Sequence, residues 1–138
     1  IEKWLPQGKS FHALILGTGG SSKSVQEALI KLKIPYKLVS REAGKGKYTY
    51  NDLEKKPKII SESNLIINTT PLGMHPNTNT MPPIDYELLT ADHFVYDLIY
   101  NPARTMFLQK AEMRGATAKN GLEMLHVQAE KSWGIWNN

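Results

Sequence analysis

Residues 14–24 of the 138-residue chain read LILGTGGSSKS, an apolar run that passes directly into three glycines and a group of small polar residues. The run His12–Leu16 has the length and composition of a buried strand. Over Ser21–Lys33 the apolar residues recur at helical spacing, at Val25, Ala28, Leu29 and Leu32. The stretch therefore predicts a strand, a glycine-rich turn and a helix.

The rest of the chain continues this alternation. Pro35 ends the first helix, and further strands are predicted near Tyr48 and at Tyr36–Ser40, Leu65–Thr69, Phe94–Asp97 and Ala116–Lys119. Helices are predicted at Thr105–Arg114 and Gly121–Trp136. Residues 51–63 form a polar segment in which Pro57 should interrupt any long helix, and a loop is predicted at Leu72–Pro83. Strands that alternate with helices predict an α/β Rossmann-like fold, a doubly wound and mostly parallel sheet with helices on both faces.

Composition restricts the class of protein. The chain has no cysteine, which excludes disulfides and thiolate zinc sites and favours a reducing compartment. Its apolar runs are far shorter than the roughly 20 residues of a membrane helix, so we expect a soluble cytoplasmic protein without membrane partners. The net charge of +4 comes from scattered lysines typical of solvated faces, and the four histidines lack metal-ligand spacing. We therefore expect neither a metal nor a nucleic-acid partner.

A glycine turn between a strand and a helix is suited to an anion, because free backbone N–H groups and the helix dipole point at it. Gly17 and Gly19, with the small Ser22, fit the dinucleotide pattern G-x-G-x-x-G/A. Two alternatives stay open at this point. A P-loop would use Lys23 and Ser24, with Asp97 as the magnesium-holding acid, but has serine where its last glycine is required. The turn could also serve packing alone.

The residues that follow the second predicted strand bear on whether the dinucleotide is NAD or NADP. Dinucleotide folds hold NAD with an acidic residue at this position and NADP with arginine. Here the strand is followed by Arg41, with Lys45 four residues later, which favours NADP. Glu42 opposes this preference, because it would pair with Arg41 or repel the additional phosphate.

Five motifs in a fixed order resemble those of shikimate dehydrogenases. They are ALILGTGGSSKSV (13–25), VSR (39–41), NTTPLGM (68–74), DLIYNP (97–102) followed by Thr105, and GLEMLHVQA (121–129). The resemblance covers nearly the whole chain. It implies an NADP-dependent oxidoreductase of aromatic amino-acid biosynthesis that interconverts shikimate and 3-dehydroshikimate.

The resemblance also implies roles for individual residues. Cofactor-binding residues would be Gly17, Thr18, Gly19, Gly20, Ser21, Ser40, Arg41, Lys45, Thr69, Leu98 and Gly121. Substrate-binding residues would be Tyr100 and Gln128. Three positions depart from the family pattern: Ser40 replaces the usual asparagine, Glu42 the usual threonine, and Lys45 a common arginine.

In such enzymes a Lys–Asp pair on an N-terminal lobe handles the hydroxyl proton, and neither of its motifs occurs here. We therefore expect residues 1–138 to be a C-terminal NADP-binding domain that lacks the substrate lobe, has no catalytic residue and is inactive alone. Residues 121–138 would form a terminal helix that packs back toward that lobe, and the enzyme could be oligomeric. The alternatives are a quinate/shikimate dehydrogenase that uses NAD, a P-loop phosphotransferase and a basic nucleic-acid-binding module.

Overall fold

The computed structural model describes residues 4–122, and the predicted helix beyond Leu122 lies outside them. Six strands are present in this range: β1 (Ala13–Leu16), β2 (Tyr36–Ser40), β3 (Tyr48–Thr49), β4 (Leu65–Asn68), β5 (Phe94–Asp97) and β6 (Thr117–Lys119). The helices are α1 (Gly20–Lys31), α2 (Tyr50–Lys55), α3 (Lys58–Glu62) and α4 (Met106–Met113), with a 3₁₀ turn at Tyr86–Leu88.

The strands form a single sheet in the order β3-β2-β1-β4-β5-β6, and every neighbouring pair is parallel. This is the strand order of the doubly wound dinucleotide-binding folds, in which the chain reverses its direction of travel across the sheet between β1 and β4. The predicted fold class is confirmed, with a sheet that is wholly rather than mostly parallel.

Alternate residues of β1 enter two separate cores, one on each face of the sheet. Leu14 and Leu16 pack with side chains of α2, α3 and α4, whereas Ala13 and Ile15 pack with α1 and the segment that contains Leu5. Because both faces are covered, the strands read as continuous apolar runs. This is why the sequence identified β1, β4 and β5 so readily.

Helix α1 was predicted to reach Lys33 but ends at Lys31. Lys33 adopts a left-handed backbone with φ of 59°. The turn is closed by a hydrogen bond from the Ile34 N–H to the Leu29 carbonyl, 2.9 Å long. Leucine and lysine continue a helical pattern in sequence, so the pattern alone did not reveal this left-handed termination.

The other boundaries match the prediction or differ from it by one residue. Strands β1, β4 and β6 are each one residue shorter than predicted, while β2 and β5 match the prediction. Thr105 and Arg114 are the caps of α4 rather than part of it, and Gly115 follows with φ of 89°. Pro57 separates α2 from α3 as predicted. None of the helices described in residues 4–122 is long and apolar enough to cross a membrane.

Candidate functional site

The glycine turn joins the carboxyl end of β1 to α1 and is fixed on both sides. The Gly17 N–H donates to the Val39 carbonyl (2.8 Å), and the Thr69 hydroxyl donates to the Leu16 carbonyl (2.7 Å). Gly17 has φ of 114°, and a Cβ atom there would overlap with the Thr69 hydroxyl. Glycine is therefore required both by the backbone conformation and by the contact with the β4 end.

The start of α1 offers backbone donors to a ligand. Its N-cap, Gly19, has no side chain to cap the helix. Within the described residues, the N–H groups of Thr18 to Ser21 donate to no protein acceptor. Ser22 is fully buried and donates to the Gly19 carbonyl over 2.6 Å, which holds the first turn of the helix against the loop. Free N–H groups at the positive end of a helix attract an anion.

The P-loop alternative does not fit this geometry. Only Gly17, Thr18 and Gly19 separate β1 from α1, and Ser22 is already helical. Its proposed magnesium acid, Asp97, is fully buried and engaged with protein donors. The turn is too short to wrap a triphosphate in the P-loop manner.

Two cavities meet at this turn. The first, the β2-side cavity, has a volume of about 280 Å³. Its lining residues are Gly17, Thr18, Gly19, Val39, Ser40, Arg41, Tyr50, Thr69, Thr70, Pro71 and Leu72. It thus joins the glycine turn to the end of β2.

The second, the β5-side cavity, has a volume of about 460 Å³. It is lined by Ser21, Thr69, Thr70, Pro71, Met74, His75, Leu98, Ile99, Tyr100 and Asn101. Thr69, Thr70 and Pro71 line both cavities and form the wall between them. The two cavities together make a cleft that runs across the carboxyl ends of β2, β1, β4 and β5, on either side of the β1–β4 reversal point, where open α/β sheets bind ligands.

The segment after β2 holds the charged groups of the β2-side cavity. The buried Ser40 hydroxyl donates to the Glu42 carbonyl. The Glu42 carboxylate pairs with the Lys45 ammonium at 3.3 Å, and both side chains are exposed. Arg41 forms no ion pair with any described carboxylate. Of the predicted phosphate-binding residues, Ser40 and Arg41 therefore line the cavity and Lys45 does not.

Leu98 lines the β5-side cavity, and Gly121 lies directly against it. The Gly121 N–H donates to the Ile99 carbonyl (3.2 Å), and a Cβ atom on Gly121 would overlap with the Leu98 carbonyl. Gly121 was predicted only as a cofactor-binding residue. Within the described residues, the neighbour that excludes a side chain is the protein's own backbone.

The predicted substrate residues are only partly described. Tyr100 lines the β5-side cavity and is half exposed. Gln128 lies outside the described residues. Gly20 starts α1, while Ser21 lines the β5-side cavity.

Sequence reasoning missed a buried polar network under the cleft, formed by Asn68, Asp97 and Thr105. All three side chains are fully buried. Burial raises the pKa of Asp97 to about 6, and hydrogen bonds from Thr105, the Ile99 N–H and Asn68 oppose that rise. The signal was present in the sequence, because Asn68 and Asp97 end two strands, but only the register places them side by side.

Tyr50, another lining residue that the sequence did not reveal, has a buried hydroxyl without a hydrogen-bond partner in the described structure. Burial raises its pKa to about 12, and the Arg41 guanidinium opposes the rise. The hydroxyl therefore stays protonated near neutral pH.

The fold and the cleft define a Rossmann-like α/β domain with a glycine turn, whose N–H groups have no protein acceptor among the described residues, at its reversal point. Comparison of the sequence with curated proteins identifies relatives of this chain. Over 148 aligned residues, the chain is 36% identical to the shikimate dehydrogenase (NADP(+)) of Methanococcus aeolicus, covering 99% of this chain and 53% of that protein. It is 36% identical to the enzyme of the same name from Carboxydothermus hydrogenoformans, covering 89% and 48%. The chain is thus a homologue of shikimate dehydrogenases.

Solved structures agree with this assignment. A shikimate dehydrogenase in complex with NADP+ superposes with a TM-score of 0.78 at 29% identity, covering 98% of this chain and 52% of that one. A Listeria monocytogenes shikimate 5-dehydrogenase in complex with shikimate and NAD gives 0.76 at 25% identity, covering 93% and 51%. No protein-family model matches. The chain spans about half the length of the curated relatives it matches.

Proposed function

We propose that this chain is the NADP-binding domain of a shikimate dehydrogenase. The observation that carries the proposal is the glycine turn with free N–H groups between two cavities at the β1–β4 reversal point. A dinucleotide has two nucleoside halves joined by a pyrophosphate, and this site has two cavities joined by an anion-binding turn. The names of the relatives support the identity of the dinucleotide.

The residues present fit such a cofactor. The N–H groups of Thr18 to Ser21 would bind the pyrophosphate, with Gly17 shaping the turn. The β2-side cavity would hold the adenosine half, with Ser40 and Arg41 at the 2′-phosphate. The larger β5-side cavity would hold the nicotinamide half against Thr69, Leu98 and the Gly121 backbone. When bound, the nicotinamide ring supplies hydride transfer.

The choice between NADP and NAD depends on the segment after β2. Arg41 is free of carboxylate partners among the described residues, which supports NADP. Glu42 is bound to Lys45, which reduces the positive charge offered there. The NAD-using alternative, a quinate/shikimate dehydrogenase, is favoured by Glu42 and by the Listeria structure, whose complex contains NAD.

For the complete enzyme we propose the NADP-dependent reversible reduction of 3-dehydroshikimate to shikimate, in the cytoplasm and as part of aromatic amino-acid biosynthesis. Tyr100 and Gln128 would contact the substrate, and residues 121–138 would pack toward an N-terminal lobe that carries the proton-transferring pair. The domain alone would bind cofactor without turnover. A shikimate-oxidation assay of the 138-residue chain tests this last point, and steady turnover contradicts it.

The test of the cofactor proposal is calorimetric titration of the chain with NADP+ and, separately, NAD+ at 25 °C. We expect NADP+ to bind more tightly. Arg41→Gln should weaken NADP+ binding about tenfold or more, because a hydrogen bond between charged groups contributes roughly 1.5–3 kcal/mol. Binding of NAD+, which lacks the 2′-phosphate, should change little.

Arg114→Gln is the matched control. Arg114 is an exposed arginine that caps the end of α4, away from both cavities. Equal loss of NADP+ affinity in both variants indicates a general charge effect and argues against a phosphate contact at Arg41. Equal binding of NADP+ and NAD+ by the wild-type chain favours the NAD-using alternative.

A further inference from the structure

A buried carboxylate that is not among the predicted cofactor-binding or substrate-binding residues connects the walls of the cleft. Asp97 ends β5 and exposes none of its surface. Its Oδ1 accepts hydrogen bonds from the Ile99 N–H (3.0 Å) and the Asn68 amide (3.2 Å). Its Oδ2 accepts one from the Thr105 hydroxyl (2.7 Å). Three protein donors thus converge on a single buried side chain.

Asn68 extends the network into the wall that the two cavities share. Its Oδ1 accepts hydrogen bonds from the Thr70 N–H (3.0 Å) and the Thr70 hydroxyl (2.6 Å). The Thr70 hydroxyl in turn accepts from the Leu72 N–H (3.2 Å). The segment 70–72 leaves the sheet at the β4 end, so its path depends on the orientation of the Asn68 amide.

Asp97 acts directly on the opposite wall. By holding the Ile99 N–H, its carboxylate fixes the turn that carries Leu98, Ile99 and Tyr100 along the β5-side cavity. Thr105 joins this turn to α4, because its hydroxyl also accepts from the Leu108 N–H (3.3 Å). One carboxylate therefore sets the separation between two walls that belong to different strands.

We propose that Asp97 is a positioning residue for the dinucleotide, which holds the 70–72 wall and the 98–100 wall at the separation that the nicotinamide half requires. This inference rests on the proposed cofactor-binding function. Asp97 acts through Asn68, Ile99 and Thr105 and does not touch the ligand.

The donor pattern matches an ionised carboxylate. Asp97 receives three donors, and its neighbours within the network offer no acceptor for a proton of its own. Although burial raises the pKa of Asp97 to about 6, the carboxylate remains ionised at pH 7.5. Replacement of the carboxylate or of Thr105 by a group without the matching hydrogen bond leaves a buried polar atom unpaired, which loosens the network.

The experiment compares Thr105→Val with Thr105→Ser in the 138-residue chain by calorimetric titration with NADP+ at pH 7.5. Valine keeps the shape of threonine without the hydroxyl, whereas serine keeps the hydroxyl. We expect Thr105→Val to bind NADP+ about 5- to 20-fold more weakly, and Thr105→Ser to bind within about twofold of wild type. Asp97→Asn should weaken binding at least as much as Thr105→Val.

Thr90→Val is the control for loss of a threonine hydroxyl. Thr90 lies before β5, at the opposite edge of the sheet, and its hydroxyl accepts from the Asp92 N–H. The Thr90→Val variant should bind NADP+ with the affinity of wild type. Each variant is titrated at a temperature at which its unfolding curve shows that it is folded. If Asp97→Asn fails to fold, the comparison of Thr105→Val with Thr105→Ser tests the positioning role.

The outcomes separate this inference from the proposed function. If the wild-type chain binds neither NADP+ nor NAD+, the proposed function fails and the positioning role fails with it. If wild type binds and Thr105→Val binds equally well, only the positioning role is overturned. A loss in Thr105→Ser or Thr90→Val as large as that in Thr105→Val also overturns it, because affinity would then follow general packing.

Discussion

The two cavities of the cleft are built in different ways. At the end of β2 the β2-side cavity is lined by Ser40 and Arg41, and Arg41 begins an exposed segment, residues 41–45, in which Glu42 and Lys45 form a surface ion pair. The walls of the β5-side cavity rest on the buried network of Asn68, Asp97 and Thr105. A surface ion pair contributes little energy, whereas a buried network is costly to disturb.

We expect the two cavities to differ in what they control, ligand preference on the β2 side and ligand geometry on the β5 side. Residues on an exposed segment can be exchanged at little cost in stability, so the β2-side wall is suited to setting preference between similar ligands. The β5-side walls rest on buried hydrogen bonds, so a substitution that removes one of these hydrogen bonds should cost stability or alignment. We expect substitutions on the two sides to differ accordingly.

The largest effect is expected at the turn between the cavities. Gly17→Ala requires an alanine at φ of 114° and a Cβ atom that overlaps with the Thr69 hydroxyl. We expect the free energy of unfolding to fall by about 2–4 kcal/mol, measured by urea denaturation. Dinucleotide binding should be lost as well.

Gly19→Ala is its control. Gly19 has φ of −79°, and a Cβ atom there would meet nothing within 4 Å. Its unfolding free energy should fall by about 1 kcal/mol or less. A similar loss of stability in the two variants would show that the contact between Gly17 and Thr69 is not what demands glycine.

The next effect concerns the pH dependence of stability. Because burial raises the pKa of Asp97 from 3.8 to about 6, the folded state keeps its proton to a higher pH than the unfolded chain does. The contribution of Asp97 to stability is therefore largest below about pH 4 and is lost as the pH rises through about 6. Relative to Asp97→Asn, wild type should lose about 2–3 kcal/mol between pH 4 and pH 7, measured by urea denaturation.

Asp52→Asn should show the opposite sign. The hydrogen bond from the Thr49 N–H lowers the pKa of Asp52, so the contribution of Asp52 to stability is present above the unfolded pKa and is lost as the pH falls through the folded pKa. If Asp97→Asn and wild type keep a constant difference in stability across pH 4–7, the carboxylate of Asp97 has an ordinary pKa, and burial does not dominate its environment.

A smaller effect is expected on the β2 side. Glu42→Gln releases Lys45 from its ion pair and removes a negative charge beside Arg41. NADP+ affinity should increase about two- to fivefold at low salt and less at high salt, with NAD+ affinity unchanged. Glu112→Gln, which breaks the exposed pair with Arg104, is the control and should leave both affinities unchanged. Weaker NADP+ binding by Glu42→Gln would mean that Glu42 orders the segment rather than opposing the phosphate.

The smallest effect is expected at Tyr50. Its buried hydroxyl has no partner in the described structure, so Tyr50→Phe should leave the unfolding free energy unchanged or raise it by up to about 1 kcal/mol. Tyr86→Phe is the matched control, because the Tyr86 hydroxyl donates to the Pro82 carbonyl over 2.7 Å, and it should lose about 1 kcal/mol. If thermal unfolding shows that Tyr50→Phe and Tyr86→Phe lose the same stability, the Tyr50 hydroxyl has a hydrogen-bond partner in solution.

The sequence predicted most of the fold because its strands are buried on both faces and therefore appear as short apolar runs between turn residues. It also predicted the position of the glycine turn and of Arg41. It did not predict the left-handed end of α1 at Lys33, because no glycine marks that turn. The partner of Gly121 was also missed, since the neighbouring Leu98 backbone comes from a distant part of the chain.

What the sequence by itself determined is the alternation of strands and helices, the glycine turn and the family resemblance, all of which are encoded in neighbouring residues. The tertiary structure decided which side chains meet. Asp97 accepts hydrogen bonds from Asn68 and from Thr105, and Lys45 pairs with Glu42 and does not line the β2-side cavity. These contacts depend on strand register and on burial. Register joins residues 29 positions apart in the chain at one edge of the sheet, and no local pattern records which atoms then lie within hydrogen-bonding distance.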